Sequence, residues 1–245
     1  MQSTPLLSQL VLATHNRDKV VEIRSSLAGL PVQILSLENF PDAPEVEEDG
    51  DTLAANAIKK ALAIHAHTQL PAVADDTGLM VDALSGAPGV YSSRFAGAKA
   101  TYADNVQKLL RLMEGIPLPQ RTAEFRTVMA LALNGKTHLV EGRCRGLITF
   151  APVGNNGFGY DPVFFVPELN KTFAELTLAE KNQISHRGKA AAAFKEKLRA
   201  LNAHGAFWFQ KIAAPITPPL FCGSCWRHNK PASRYPTARG YSRCR

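Results

Sequence analysis

The chain has 245 residues, 45% of them hydrophobic, enough for one large domain or two small ones with a buried core. Its formal charge of +7 suggests a polyanion binder, but residues 206–245 hold seven basic side chains and no Asp or Glu; of 28 basic and 21 acidic residues, the body therefore keeps 21 of each. This neutral body disfavours a nucleic-acid-binding surface. The start has no basic and apolar leader, and no run approaches the ~20 apolar residues of a membrane span, so the expectation is a soluble, cytoplasmic protein. Of four cysteines only Cys144 lies in the body, which argues against a disulfide framework.

Taken in order, residues 9–14 (QLVLAT) read as a buried strand. His15 and Asn16 then open a helix that runs to about Ala28, with Gly29 at its end and Val20, Ile23 and Leu27 at helical spacing. A strand that turns directly into a helix N-terminus is an anion site, because free amides and the helix dipole favour phosphate. Thr14 and Asn16 add donors and Lys19 sits one turn in; ordinary capping by Asn16 with a solvated lysine is the alternative. Residues 31–37 form a second strand, followed by an acidic loop from Glu38 to Asp51. One carboxylate of that loop can reach a metal, since Mg²⁺ takes only one or two protein carboxylates. A helix spans Thr52 to Thr68.

The central stretch comes next. An apolar run, Leu70 to Ala74, meets two adjacent carboxylates, Asp75 and Asp76, and Thr77 and Gly78 are expected to turn the chain into a second apolar run. Ligands of open α/β sheets bind at the carboxyl ends of strands. Neighbours on a strand face opposite ways, so one carboxylate faces a cleft while the other caps the turn. A plain turn between two strands explains the same residues.

Thr101 to Asp104 resemble a capping box that opens a helix ending near Gly115. Residues 123–133 and 137–150 are strand-like and joined by Asn134 and Gly135, a strong hairpin signal. Residues 154–162 (GNNGFGYDP) match neither a Walker loop nor a dinucleotide fingerprint. They suit a close backbone approach to a ligand with Phe158 stacking on a flat ring, or else a tight turn. Thr177 and Glu180 form another capping box, with Lys181 on the helix they start. Ser185 is a plausible cap for the last helix, placing His186 and Arg187 in its first turn with donors facing outward. Cations are unfavourable there, which a bound anion or carbonyl group explains. From Ala206 the periodicity stops. Cys222, Cys225, His228 and Cys244 have no specific zinc spacing, and residues 206–245 read as a disordered or adventitious tail after a domain of residues 1–205.

Four stretches in this order, residues 14–19 (THNRDK), 74–79 (ADDTGL) with 86–94 (GAPGVYSSR), 157–162 (GFGYDP) and 185–188 (SHRG), resemble the inosine/xanthosine triphosphate pyrophosphatases. The resemblance runs from about Leu10 to Leu201. It implies an α/β fold with a mixed central sheet flanked by helices, two lobes with a cleft between them, and a homodimer. The implied reaction is hydrolysis of dITP, ITP or XTP to the monophosphate and pyrophosphate with Mg²⁺. By motif, Thr14, His15, Asn16, Arg17, Asp18 and Lys19 would form the phosphate-binding turn. Asp76 would be the proton acceptor and a metal ligand, Glu47 the second metal carboxylate and Thr77 a substrate contact. Phe158, Gly159, Tyr160, Asp161, Lys181, His186 and Arg187 would hold the nucleotide. Two positions depart from the family pattern: His15 replaces a common glycine, and Ala55 replaces the glutamate of Glu-Asn-Ala. A related enzyme for modified pyrimidine triphosphates and a nucleotide sensor without turnover are the competing readings.

Overall fold

The protein is described by a computed structural model over residues 7–212. The chain opens on the apolar strand β1 (Gln9–Leu12) and passes through the capping residue Asn16, whose side chain accepts from the Lys19 amide at 3.1 Å, into α1 (Arg17–Ser26). β2 (Gln33–Ser36) lies parallel to β1. After the acidic loop, Thr52 caps α2 (Leu53–Thr68). Then come β3 (Ala72–Val81), the two-residue β4 (Pro88–Gly89) and α3 (Tyr102–Leu112), whose cap Thr101 and third residue Asp104 bond reciprocally. A long hairpin follows, β5 (Thr122–Leu133) and β6 (Lys136–Ile148), turned at Asn134 and Gly135, both at positive φ. The order closes with β7 (Phe164–Val166), β8 (Lys171–Thr172), α4 (Leu178–Ile184) and α5 (His186–Ile212). The candidate zinc residues of the sequence lie outside the described residues.

One mixed sheet runs β2-β1-β3-β5-β6-β7-β8, with β4 paired to β3. β2, β1 and β3 are parallel, and from β3 onward every neighbour is antiparallel. The chain therefore has the expected α/β class. One expectation is corrected: Thr77 and Gly78 do not turn the chain. β3 continues through both carboxylates because β5 pairs with it without interruption, from Ala72 opposite Ala132 to Val81 opposite Ala123. A continuous ladder satisfies the amides that a turn would have needed a side chain to cap.

β3, β5 and β6 are long enough to serve three apolar clusters, two at one end of the sheet and one at the other. At one end α2 covers one sheet face through Leu53, Ala57, Ala61 and Ile64, while α1 and α5 cover the other through Ile23, Leu27, Phe194 and Leu198. At the other end Val106 and Leu109 of α3 and its C-cap Met113 pack with Leu79, Phe125, Phe164 and Phe173. Arg121, 2% exposed, ties this second lobe together by donating to the main-chain oxygens of Met113, Ile148 and Thr149. Between the lobes the strands are polar, at Asp75, Asp76, Thr77 and Thr127, all of them buried or half-buried. α5 comes close to this belt because of Gly142 on β6, directly opposite Thr127. A Cβ at Gly142 would stand 2.1 Å from the carbonyl oxygen of His186.

Candidate active site

The two carboxylates of β3 project from opposite faces of the strand and meet different partners. On the α1 and α5 side, Asp75 Oδ2 lies 3.2 Å from Lys19 Nζ and 3.3 Å from Arg187 Nε, while its Oδ1 has no partner among the described residues. Asp75 is thus an ion-pairing group rather than the turn cap expected of it. Burial alone pushes its carboxyl up, but Lys19, Arg187 and Lys60 outweigh that and hold it well below the usual range. On the α2 side, Asp76 accepts from Asn56 Nδ2 at 3.2 Å and from the Thr77 amide at 3.0 Å, with Lys60 Nζ 3.7 Å away. Here burial dominates over the attraction of Lys60 and Lys19, and the Asp76 carboxyl is pushed up.

Asn56 and Lys60 lie four residues apart on α2, hence on one face. Lys60 donates to the main-chain oxygen of Asp75 at 2.7 Å and to the Glu48 carboxylate. Asn56 Oδ1 accepts from Gly50 and Arg94 Nη2 donates to the Glu48 carbonyl at 2.7 Å, so both pin the acidic loop. The loop carboxylate set beside Asp76 is therefore Glu48, and Glu47, the expected metal carboxylate, is exposed. The reason is local alternation along an extended segment: only one of two adjacent side chains turns toward α2.

Across the cleft, α4 and α5 supply the remaining charges. Glu22 of α1, 4% exposed, accepts from Lys181 at 2.6 Å and from Arg187 Nη1 at 2.5 Å. Lys181 also donates to Asp161, which in turn accepts from the Phe158 amide at 2.8 Å and so holds the glycine-rich loop. That loop turns at Gly157, in the left-handed region, where a Cβ would lie 2.1 Å from the Asp161 carboxylate. Tyr160 is buried and donates to the main-chain oxygen of Ser92 at 2.9 Å. Ser185 caps α5 by accepting from the Gly188 amide at 3.1 Å.

His186 and Arg187 occupy the first turn of α5 as expected, but they are buried rather than outward-facing. His186 stacks on Phe125 at 4.4 Å and 14°, and burial beside Arg187 and Lys181 lowers its pKa well below the usual value, so it is neutral at pH 7. The charge of Arg187 is answered by Glu22 and Asp75, which offset the unfavourable end of the helix dipole without any ligand.

These groups line two adjoining compartments that share part of their walls. The aromatic compartment, about 100 Å³, is bounded by Tyr102, Phe125, Phe158, Tyr160, His186 and Arg187, with Thr77, Gly159 and Asp161 also on its wall. The polar compartment, about 250 Å³, is bounded by Thr14, His15 and Lys60 and also by the apolar Leu37, Pro44, Val46 and Ile64. Asn16, Lys19, Glu48 and Ser93 border both, and Asp76 lines the aromatic one. Arg17 lies outside, exposed and 3.6 Å from Glu38; Asp18 is at the rim, bonded to the Tyr102 hydroxyl. The Thr77 hydroxyl is engaged internally by Arg187, Asp75 and Thr127. Of the two family departures, Ala55 is exposed and outside both compartments, whereas His15 lines the polar one.

Sequence reading missed Glu22, Glu48, Asn56, Lys60 and Tyr102. Signals were available for three of them: Lys19 and Glu22 three apart, and Asn56 and Lys60 four apart, each pair sharing a helix face.

The sequence profile of the Ham1 family matches residues 10–197. A dITP/XTP pyrophosphatase of Desulforamulus reducens is 53% identical over 197 residues, covering 80% of this chain and 98% of the relative. One from Geobacter sulfurreducens is 51% identical over 193 residues, covering 78% and 97%. Among solved structures, a HAM1 protein from Coxiella burnetii aligns with a TM-score of 0.72 at 42% identity, covering 79% of this chain and all of that one. The Ham1 protein of Staphylococcus aureus aligns at 0.70 and 36%, covering 78% and 98%.

Proposed function

The chain belongs to the Ham1 family, and from that premise we propose that it hydrolyses non-standard purine nucleoside triphosphates, dITP, ITP and XTP, to the monophosphate and pyrophosphate. One observation carries the reading: an aromatic compartment, with the buried Asp76 on its wall, shares Lys19, Asn16, Glu48 and Ser93 with a second compartment that also holds Lys60. A purine nucleotide has the same layout, with a flat base at one end, a polyanion at the other and the scissile anhydride between them.

In this reading the base enters among Phe158, Tyr102 and His186, and the β- and γ-phosphates lie along Thr14, His15, Lys19 and Lys60. Water attacks the α-phosphorus, its proton passes to Asp76, and the bond from the α-phosphorus to the bridging oxygen breaks, releasing pyrophosphate. Asp76 lines the cavity, whereas Asp75 does not and gives its Oδ2 to Lys19, Arg187 and the Thr77 hydroxyl, so Asp76 is the carboxylate placed to accept the proton. Lys19 starts from its ion pair with Asp75, so its ammonium is already in place when the triphosphate arrives.

Selectivity follows from counting donors. Arg187 uses three of its five N–H groups on Asp75, Glu22 and Thr77, leaving one on each Nη. Lys181 uses two of three on Glu22 and Asp161. The remaining donors pair with the 6-oxo group and other acceptors of hypoxanthine and xanthine. The amino group of adenine would leave buried donors unpaired, a mismatch worth ~10⁴-fold or more in some enzymes.

The residues present fit Mg²⁺. Asp76 and Glu48 offer hard oxygen donors on one cavity wall, and each Asp76 oxygen accepts a single hydrogen bond, which leaves a lone pair free. Among the described residues no group of three or more His, Cys, Asp or Glu makes a closed cage, as suits an ion completed by water and phosphate oxygens. Bound there, Mg²⁺ supplies neutralisation of charge on the phosphate oxygens. The family resemblance further supports a homodimer, and a nucleoside triphosphate substrate supports work in the cytoplasm. No helix among the described residues is long and apolar enough to cross a membrane.

Pyrophosphate release from equal concentrations of ITP, XTP, dITP, ATP and GTP with Mg²⁺ tests the reading. Fast release from the first three and little from ATP is expected, while GTP, whose base shares the 6-oxo group, reports what the 2-amino group costs. Equal release from all five would remove the selectivity, and release from none would remove the reaction.

A further inference from the structure

Tyr102 is the first residue of α3, in the second lobe, yet its polar contacts are all with the first. Its hydroxyl accepts from Asn16 Nδ2 at 3.0 Å and donates to Asp18 Oδ2 at 3.2 Å, both on the turn that opens α1. Its ring lies 5.7 Å from Phe158, tilted by 42°, and 43% of the residue is exposed at the mouth of the aromatic compartment.

The ring is held from both directions. Thr101 and Asp104 lock the start of α3, and Asn105 fixes the same turn to the cavity wall by donating to the Ser93 carbonyl at 3.0 Å and accepting from the Ala96 amide at 2.7 Å. On the other side the Asn16 amide is oriented toward the hydroxyl by its Oδ1, which caps α1 at the Lys19 amide. Phe158 carries Lys181 and Arg187 over its ring, at 5.1 and 5.4 Å. A polar side chain could satisfy Asn16 and Asp18 equally well; an aromatic one there adds a π-face where the compartment opens.

We propose that Tyr102 is a substrate-positioning residue, its ring covering the purine at the cavity mouth and its hydroxyl tying that ring to the phosphate-binding turn. The inference rests on the nucleotide reading of the cavity. Stacking of a base on an aromatic side chain is lost on alanine substitution, so the base should feel the loss and a bare phosphate chain should not.

The test compares wild type, Tyr102→Ala and Tyr102→Phe with ITP as substrate and inorganic pyrophosphate as a competing probe of the polar compartment. Tyr102→Ala is expected to raise KM for ITP about tenfold, keep kcat within about threefold and leave pyrophosphate inhibition within about twofold. Tyr102→Phe, which keeps the ring, is expected to raise KM no more than about threefold. The proposal is overturned if Tyr102→Ala leaves KM unchanged, if pyrophosphate inhibition weakens in parallel with KM, or if Phe is as damaging as Ala. Calorimetric binding of ITP separates this inference from the reaction itself. A wild type that binds ITP without hydrolysing it, and loses about tenfold in affinity on Tyr102→Ala, would sink the reaction and keep the stacking residue.

Discussion

Two adjacent carboxylates with opposite electrostatics sit at the centre of the site, and each suits one task. Asp75 is stabilised as an anion by Lys19 and Arg187; Asp76 is penalised as an anion by its burial. Replacing Asp76 by Asn removes a disfavoured charge and keeps an oxygen to accept from Asn56, but turns an NH2 toward the Thr77 amide. We expect Asp76→Asn to melt within a few degrees of wild type while pyrophosphate release from ITP falls by ~10³-fold or more. A drop of many degrees in melting temperature would show that the Asp76 charge supports the fold. The strand alternation that sends one carboxylate into the cleft was legible in the sequence. The identity of the cations around the other was not, since Arg187 lies 112 residues from Asp75 in sequence. The choice between Glu47 and Glu48 was hidden for a related reason: it depends on Lys60 and Arg94 reaching the loop from elsewhere.

At the level of elements, local signals served well wherever the physics is local. Asn16, Thr101 and Thr177 cap the helices they were read to open, and the Asn134 and Gly135 hairpin formed. The same approach failed at Thr77 and Gly78, where a ladder partner some 50 residues away decides whether the strand continues. Close packing between elements was equally invisible. Gly142 reads as an ordinary strand glycine, yet the N-terminus of α5 rests on it. Gly142→Ala should push that helix start outward, displacing His186 and Arg187. The expected outcome is a destabilisation of about 2–4 kcal/mol by chemical denaturation, with KM for ITP rising in the folded fraction. A variant with unchanged stability and kinetics would mean that β6 and α5 separate at little cost.

For the whole molecule, the buried charges set how stability responds to acid. Glu22 and Asp75 have lowered pKa values; burial opposes this in both, and the arginine and lysine partners outweigh it. Such groups contribute stability above their unfolded values, near 4, and lose it as pH falls toward their lower folded values. Asp76 and Asp161 are raised by burial, so their charged forms cost stability, and acidification through those raised values relieves the cost. His186, held neutral by its burial, adds a third effect: below its unfolded value, near 6.5, the unfolded chain takes up a proton that the folded chain does not, so stability falls from pH 7 to about 5, against the gains at Asp76 and Asp161. Melting temperature is therefore expected to decline from pH 7 to about 5 and to fall further below about 4. A steady rise from pH 7 to 5, followed by calorimetry, would contradict this arrangement of charges. Asp75→Asn should abolish much of the acid sensitivity and cost about 3 kcal/mol at pH 7, because Lys19 and Arg187 lose a buried counter-charge.

Helix caps, the hairpin turn, the α/β alternation and the ordered set of motifs could be read from the amino-acid sequence, because each rests on contacts within a few residues or on patterns of burial with a fixed period. The reading also reached the family and its reaction through those motifs. Which buried charge answers which, which loop carboxylate stands beside Asp76, and that Tyr102 closes the cavity mouth all depend on segments brought together from distant parts of the chain. A buried ion pair exists only where both groups lose water at the same place, and that place is created by packing of the sheet and helices. The chemistry of the site is therefore written in residues whose partners are chosen by the fold.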